Sequence, residues 1–438
     1  MNEKNIEKSE YFDDLDFFKI SFSTHVMTFS QKYLACQLIV VLFLLIGESS
    51  SKNIYKIQDD NDKNVLNIFM IGDWGGPHGS INKGPDQDEY GFSIGTGMNL
   101  MAEKLELDSI LLLGDNIYNE GVVNVTDKRW ETTYLATFNG TNLANTPMYA
   151  TSGNHEYYQN VSAMIDYTNY DPTGRWTYPD YWYDVEFLDG RILMLMLDTS
   201  ILKRHTAWEH DKSKRTENDM IDRQQIQYDW IEKKLSESTA EMIIVSAHYT
   251  LYSASSHGSQ SELYENLDPL FVKYNVTAYF CGHDHVSQHL SSGYNNAGNK
   301  QMTQYFVVGQ GTDAYGHEND YDGCENCDVE FYWDYPEDCL GVFGMFNVYE
   351  DETGLLKPYF RFIDARDNSL VYQTQLEARY GPQVATTLPT TLPTTLPTAL
   401  PTTLPVLTTM TVPETTTKSS SFKTTFFATL SATLIILK

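Results

Sequence analysis

Aspartate, tyrosine, asparagine and histidine recur along this chain in five short motifs, each placed just past an apolar, strand-like run. They read Gly72-Asp73-Trp74-Gly75-Gly76, Gly114-Asp115-Asn116-Ile117-Tyr118, Gly153-Asn154-His155-Glu156, Ala247-His248-Tyr249 and Gly282-His283-Asp284-His285. Carboxylates, a phenol, an amide and imidazoles together suit a pair of hard or borderline cations, and such pairs bind phosphate oxygens. Two ions held close together need a bridging carboxylate with terminal ligands on either side. Asp115 fits the bridge, because it leaves a strand into the loop that also carries Tyr118. Asp73 with one imidazole of the His283/His285 pair can complete one ion, and Asn154, His248 and the other imidazole can complete the second. His155, beside Asn154, is then left to face substrate. Ordinary turn formation accounts for one or two such motifs, but not for five in succession.

Each motif needs an element to hold it. Residues 65–71, 110–113, 147–151, 193–197, 242–246 and 276–280 are short apolar runs that end near Gly, Asp or His. Continuous runs of this kind fit buried strands of a sheet covered on both faces. Between them, Met98, Met101, Ala102 and Leu105 make one face of a helix, and Ile226, Trp230 and Leu235 are read as the buried face of another. Strand–helix alternation indicates an α/β domain, in which functional groups gather on loops at the carboxyl ends of strands. Every motif lies at such an exit. His283 and His285 can reach one region only if the strand stops and turns, a freedom the sequence assigns to Gly282.

At 438 residues the chain can bury a large core, and its net charge of -29 leaves no basic face for a nucleic-acid partner. A small phosphoester is not excluded, since bound cations set the local field. Lys32, the apolar run 34–46 and the small residues up to Ser51 read as a secretory signal following a start at Met27, too short to span a membrane. Sequons at Asn124, Asn139, Asn160 and Asn275 fit glycosylation in that pathway. Cys281 reads as a buried thiol. Cys324, Cys327 and Cys339 share an acidic loop in which one disulfide is expected and one thiol is left over. A zinc site at Cys324-x-x-Cys327 is the alternative, but it lacks an obvious fourth ligand. The Thr-Thr-Leu-Pro repeats of residues 385–405 cannot pack a core and read as an extended, O-glycosylated stalk. The short apolar tail 426–437 resembles a signal for glycosylphosphatidylinositol (GPI) attachment. The expected organisation is an extension plus signal over 1–51, a single catalytic domain over 53–380, a stalk over 381–418 and an anchor signal over 419–438. The mature protein is expected to be monomeric and secreted, lysosomal or held at the cell surface by a C-terminal lipid anchor.

The motifs, their order and much of the intervening text resemble the tartrate-resistant purple acid phosphatases, the small animal-type branch of the calcineurin-like metallophosphoesterases. The resemblance runs over about residues 67–362. Asp127-Lys128-Arg129-Trp130, Leu197-Asp198-Thr199 and the run Thr277-Ala278-Tyr279-Phe280-Cys281-Gly282-His283-Asp284-His285 also read like that branch. It implies an α/β fold of the metallophosphoesterase type, a β-sandwich of two mixed sheets flanked by helices. It implies that Asp73, Asp115, Tyr118 and His285 hold Fe(III), with a tyrosinate giving the purple colour. Asp115, Asn154, His248 and His283 would then hold Fe(II) or Zn(II), while His155 and His257 face the phosphate and leaving group. The implied activity is that of an acid phosphatase hydrolysing small-molecule or protein phosphomonoesters by attack of a metal-bound hydroxide. Alternatives are a related phosphoesterase acting on nucleotides, diesters or phosphoproteins, or a surface glycoprotein that keeps the fold without catalysis.

Two features depart from that branch. Lys203 and Glu262 stand where it has a disulfide, and an ion pair is expected in its place. The basic segment 203–219 is expected to be a mobile, protease-sensitive loop over the metal site. His78, His205, His210, His289 and His317 are read as surface residues.

Overall fold

The computed structural model describes residues 62–76, 94–204, 217–292, 303–311, 323, 324, 326–333 and 341–379. The signal-like segment, the basic residues 205–216, His78, His317, Cys339, the Thr/Pro repeat and the apolar tail lie outside the described residues. Residues Ala385–Lys438 fall in a unit of their own.

The strands are β1 (Lys63–Ile71), β2 (Ser109–Leu113), β3 (Met148–Thr151), β4 (Trp176–Thr177), β5 (Tyr183–Phe187), β6 (Ile192–Met196), β7 (Met242–Ser246), β8 (Ala278–Cys281), β9 (Ser287–Ser292), β10 (Gln304–Val308), β11 (Cys327–Trp333), β12 (Val342–Glu350), β13 (Leu356–Asp364) and β14 (Leu370–Gln375). They make two seven-stranded sheets, ordered β14-β13-β12-β1-β2-β3-β4 and β11-β9-β10-β8-β7-β6-β5. In the first sheet β1 to β4 run parallel, while β12 pairs with β1 and with β13 in antiparallel fashion. In the second, β6, β7, β8 and β10 run parallel, with β5 and β9 antiparallel beside them. The two mixed sheets expected from the resemblance are therefore present.

Alternating side chains show why the strand runs are apolar throughout. Ile68, Met70, Leu111 and Leu113 point between the sheets, meeting Met194, Ile244, Phe280 and Phe306. Phe69, Ile71, Ile110 and Leu112 point outward onto Met98 and Met101 of the helix Ile94–Ala102. On the far side, Ile243, Val245, Tyr279 and Cys281 pack with Ile231 and Leu235 of the helix Glu217–Glu237 and with Leu263, Leu267 and Phe271 of the helix Ser261–Tyr274. Both faces of the central strands are covered, so these need no polar side, whereas the outer strands β5, β11 and β14 are only partly buried.

Three sequence expectations change, and the expectation for the cysteines is met. The helix Glu217–Glu237 buries Gln227, Ile231 and Leu235, whereas Ile226 is 56% exposed. Its face is turned by Gln227, whose amide bonds Asp198 N at 2.9 Å and Asp198 O at 3.0 Å, a polar contact that apolar periodicity does not reveal. Cys324 and Cys327 are joined in a disulfide rather than arranged as a zinc site, and Cys281 is the buried thiol expected. Lys203 does not pair with Glu262; its ammonium lies 4.6 Å from the centre of the Tyr249 ring. His289 is buried, not superficial: its ring nitrogens lie 2.7 Å from Tyr372 Oη and 2.8 Å from Gln304 Oε1.

Candidate metal centre

Parallel strands of both sheets end at one edge, and the five motifs meet there. Gly72 N, past β1, donates to Val308 O of β10 at 2.8 Å, and so ties the two sheets together. Asp73 N donates to Gly114 O and Gly282 N to His248 O, both at 3.0 Å, which brings neighbouring exits side by side. Asp73, Asp115 and His283 adopt left-handed backbone angles, with φ of 57°, 48° and 73°. Asp and His tolerate that region better than most residues, yet each such position costs on the order of 1–3 kcal/mol. The turn assigned to Gly282 is made one residue later, by His283. Gly282 supplies space instead, because a Cβ there would lie 2.3 Å from Asp73 Oδ2. Gly153 does the same for the bridge, with a Cβ position 2.2 Å from Asp115 Oδ1.

The side chains form two sets that share Asp115. In the first, Tyr118 Oη lies 3.0 Å from Asp73 Oδ1, 3.0 Å from His285 Nε2 and 3.3 Å from Asp115 Oδ2. In the second, His248 Nε2 lies 3.1 Å from Asn154 Oδ1, 3.3 Å from His283 Nδ1 and 3.3 Å from the same Asp115 Oδ2. His248 Nδ1 lies 3.0 Å from Leu113 O, so that a neutral imidazole donating there presents the Nε2 lone pair toward the Asn154 and Asp115 oxygens. That cluster needs a positive centre, a proton on His248 or a bound metal ion, to hold its oxygens and nitrogen together. The spacings fit a metal ion, since donor atoms about 2.0–2.2 Å from a common ion stand roughly 3–3.5 Å apart. A histidine whose other nitrogen is fixed by a carbonyl is also the usual arrangement of a metal ligand.

Around these sets lies a layer that the sequence motifs contained without naming. Glu156 is fully buried and accepts backbone N–H bonds from Gly153 at 2.7 Å, Asn116 at 2.7 Å, Ile117 at 3.1 Å and Asp115 at 3.1 Å. It thereby clamps the β2 and β3 exits to each other. Burial and the Asp115 charge push its carboxyl up to about 8, while the N–H donors pull it down. Burial also pushes Asp115 up, but the imidazoles of His248 and His155 outweigh it and hold Asp115 well below the carboxylate range. His248 is lowered by burial and raised more strongly by Asp115, to about 9. Burial and the charges of Asp115 and Asp73 keep the Tyr118 phenol far above its ordinary value. A bound cation inverts that logic and favours the phenolate.

All seven expected ligands come together: Asp73, Asp115, Tyr118 and His285 on one side, and Asn154, His248 and His283 on the other. His155 and His257 stand at the rim. His155 has Nδ1 2.6 Å from Asn119 O and Nε2 3.9 Å from Asp115 Oδ2. The His257 ring is exposed and stacks on His283 at 4.4 Å. Asn124, Asn139 and Asn275 are exposed, and Asn160 caps the helix Val161–Asp166 by accepting from Ala163 N at 3.3 Å.

A sequence profile of the calcineurin-like phosphoesterases matches residues 66–287, half of the chain. The chain belongs to that family. Within it, the sequence is similar to tartrate-resistant acid phosphatase type 5 of Oryctolagus cuniculus, with 33% identity over 231 residues covering 52% of this chain and 69% of the relative. It is likewise similar to tartrate-resistant acid phosphatase type 5 of Homo sapiens, at 29% identity over 73% of this chain and 93% of the relative. The fold is shared with a structure described as "GAP50 the anchor in the inner membrane complex of Plasmodium", at a TM-score of 0.55 and 18% identity, over 73% of this chain and 90% of that one. Family membership implies a binuclear metal centre, and the two donor sets sharing Asp115 fit one.

Proposed function

We propose that this protein is an acid phosphatase that hydrolyses phosphomonoesters at a binuclear centre. Asp73, Asp115, Tyr118 and His285 would hold Fe(III), and Asp115, Asn154, His248 and His283 would hold Fe(II) or Zn(II). When bound, such a pair lends Lewis-acid charge to phosphoryl oxygens and lowers the pKa of water. The observation that carries this reading is Asp115 Oδ2, 3.3 Å from both Tyr118 Oη and His248 Nε2, where one carboxylate oxygen serves both sets.

The chain's own residues supply the rest. Phenol and carboxylates on the Asp73 side are hard donors suited to a trivalent ion, whereas amide and imidazoles suit a divalent one. His155, with Nδ1–H given to Asn119 O, keeps its ring fixed beside Asp115 and turns Nε2 toward the reacting phosphate. The exposed His257 ring, stacked on His283, stands where a leaving oxygen can take up a proton. The fold shared with the Plasmodium anchor protein carries no activity with it. An intact ligand set favours catalysis here, because a purely adhesive role exerts no demand on seven converging donors.

Purified full-length protein is expected to turn over 4-nitrophenyl phosphate and to show a visible tyrosinate-to-iron band. Full metal content without turnover would overturn the hydrolase reading. Turnover without the band would overturn Fe(III) at Tyr118. The leader-like segment, the four sequons and the apolar tail support passage through the secretory pathway and a GPI anchor. Among the described residues no helix is long and apolar enough to cross a membrane. Release from cells by a phosphatidylinositol-specific phospholipase is the expected result, and retention after that treatment would count against the anchor.

A further inference from the structure

Asp284 lies between the ligands His283 and His285, is 1% exposed, and has no place in either donor set. Its Oδ1 accepts from His257 N at 3.0 Å, and its Oδ2 accepts a short hydrogen bond from Ser253 Oγ. Ser253 Oγ in turn accepts from Ser255 N at 3.1 Å and Gln288 Nε2 at 2.9 Å, while Gln288 Oε1 accepts from Ala254 N at 2.8 Å. Beyond the histidine, Gln260 Nε2 donates to His257 O at 2.9 Å, and Gly258 turns the chain back at φ 65°. One buried carboxylate thus pins the backbone of the loop 253–257 to the turn that carries two metal ligands. The ring on that pinned backbone stacks on His283 at an interplanar angle of 27° and is exposed.

We propose that Asp284 is a positioning residue that locks the His257 loop to the His283/His285 turn, fixing where the His257 imidazole meets the leaving group. The proposal rests on His257 facing the leaving oxygen. A peptide N–H held by a buried carboxylate makes a charge-assisted bond, stronger and more directional than a neutral one. Asparagine cannot reproduce it. Its amide nitrogen would face either the His257 N–H, donor against donor, or Ser253 Oγ, which already accepts two bonds. The loop would be released on one side, and a shift of about 1 Å in a reacting group costs on the order of 100-fold in rate.

The test compares Asp284→Asn, His257→Ala and the double variant in full-length, metal-loaded protein, using 4-nitrophenyl phosphate and phenyl phosphate. Asp284→Asn is expected to lower kcat about 10- to 100-fold with metal content unchanged, and more for the poorer leaving group, phenolate. His257→Ala should show the same leaving-group dependence, and the double variant should fall little further than His257→Ala alone. Wild-type kcat in Asp284→Asn, equal losses on both substrates, or additive losses in the double variant would overturn the positioning role. Wild-type kcat in His257→Ala would instead overturn the underlying reading of that histidine. If Asp284→Asn loses its fold or its metal, Ser253→Ala keeps the question open to test. It leaves the Asp284–His257 bond but loosens the loop, so a smaller loss with the same leaving-group bias is expected, and no loss would overturn the proposal.

Discussion

Where β1 begins and β12 finishes, opposite charges stand beside one another. Arg191 donates to Glu241 and Glu350, each at 2.7 Å, and Lys357 to Asp62 at 3.0 Å. Asn67 accepts from Asn347 at 2.7 Å and gives its own amide to Glu106 O at 2.7 Å. Where β1 ends, at the other edge of the same sheets, Asp73, Asp115, Tyr118, Asn154 and three imidazoles converge, and among the described residues no lysine or arginine is paired with either carboxylate. The first region has a hollow of about 480 Å³ lined by Lys63, Asp108, Arg191 and Glu350, in which Arg191 and Glu350 are paired with each other. The second gathers donors of the types that hold metal ions. The chemistry of the converging groups, more than volume, separates a site for ions from a structural network.

The contrast is broken most severely by Asp115→Asn. Losing the shared anionic oxygen should lower turnover more than about 10³-fold and abolish the visible band, followed by phosphatase assay and absorption spectroscopy. Glu156→Gln comes next, because an amide cannot accept four N–H bonds, so metal affinity or activity should drop about 10- to 100-fold, read by chelator competition. At the compensated end, Arg191→Ala should leave kcat unchanged and cost about 1–3 kcal/mol of stability, measured by urea unfolding, since Glu241 remains buried and unpaired. A smaller effect is expected at Asp198, whose carboxyl is pushed up to about 6 by burial, against hydrogen bonds from Tyr157 and Ile201. Its folded value exceeds the unfolded value near 3.9, so stability falls as pH rises from about 4 through about 6 and is level above that. Asp198→Asn should flatten that part of the stability–pH curve. Lys273→Ala, at an exposed pair with Glu232, should leave the unfolding midpoint unmoved.

The site was legible in the sequence because its donors follow apolar strands in a fixed order, and strand ends are where an α/β sheet gathers function. Asp73, Asp115, Asn154, His248 and the His283/His285 pair needed only that rule and chemical type, whereas the part of Tyr118 and the division of the two imidazoles came from the family resemblance. Glu156 and Asp284 stood inside quoted motifs but remained unassigned. Apart from the neighbouring Gly153 N–H, their work is done on backbone N–H groups 27 to 41 residues away in sequence, which side-chain type does not predict. The same limit explains the helix Glu217–Glu237, where Gln227 takes a core position by bonding Asp198 while Ile226 faces water. His289 was misjudged because a histidine within an alternating strand can point inward when Tyr372 and Gln304 meet both nitrogens. The covered strands β1, β2, β3, β6, β7 and β8, by contrast, announced themselves through composition, whereas β10 and β12, equally buried, were not picked out.

An anomalous-scattering map from crystals of the metal-loaded protein tests the central geometry most directly. Two peaks about 3.5–4 Å apart are predicted, with Asp115 between them, one beside Tyr118 and the other beside His248. A single peak, or two that do not share Asp115, would contradict the account.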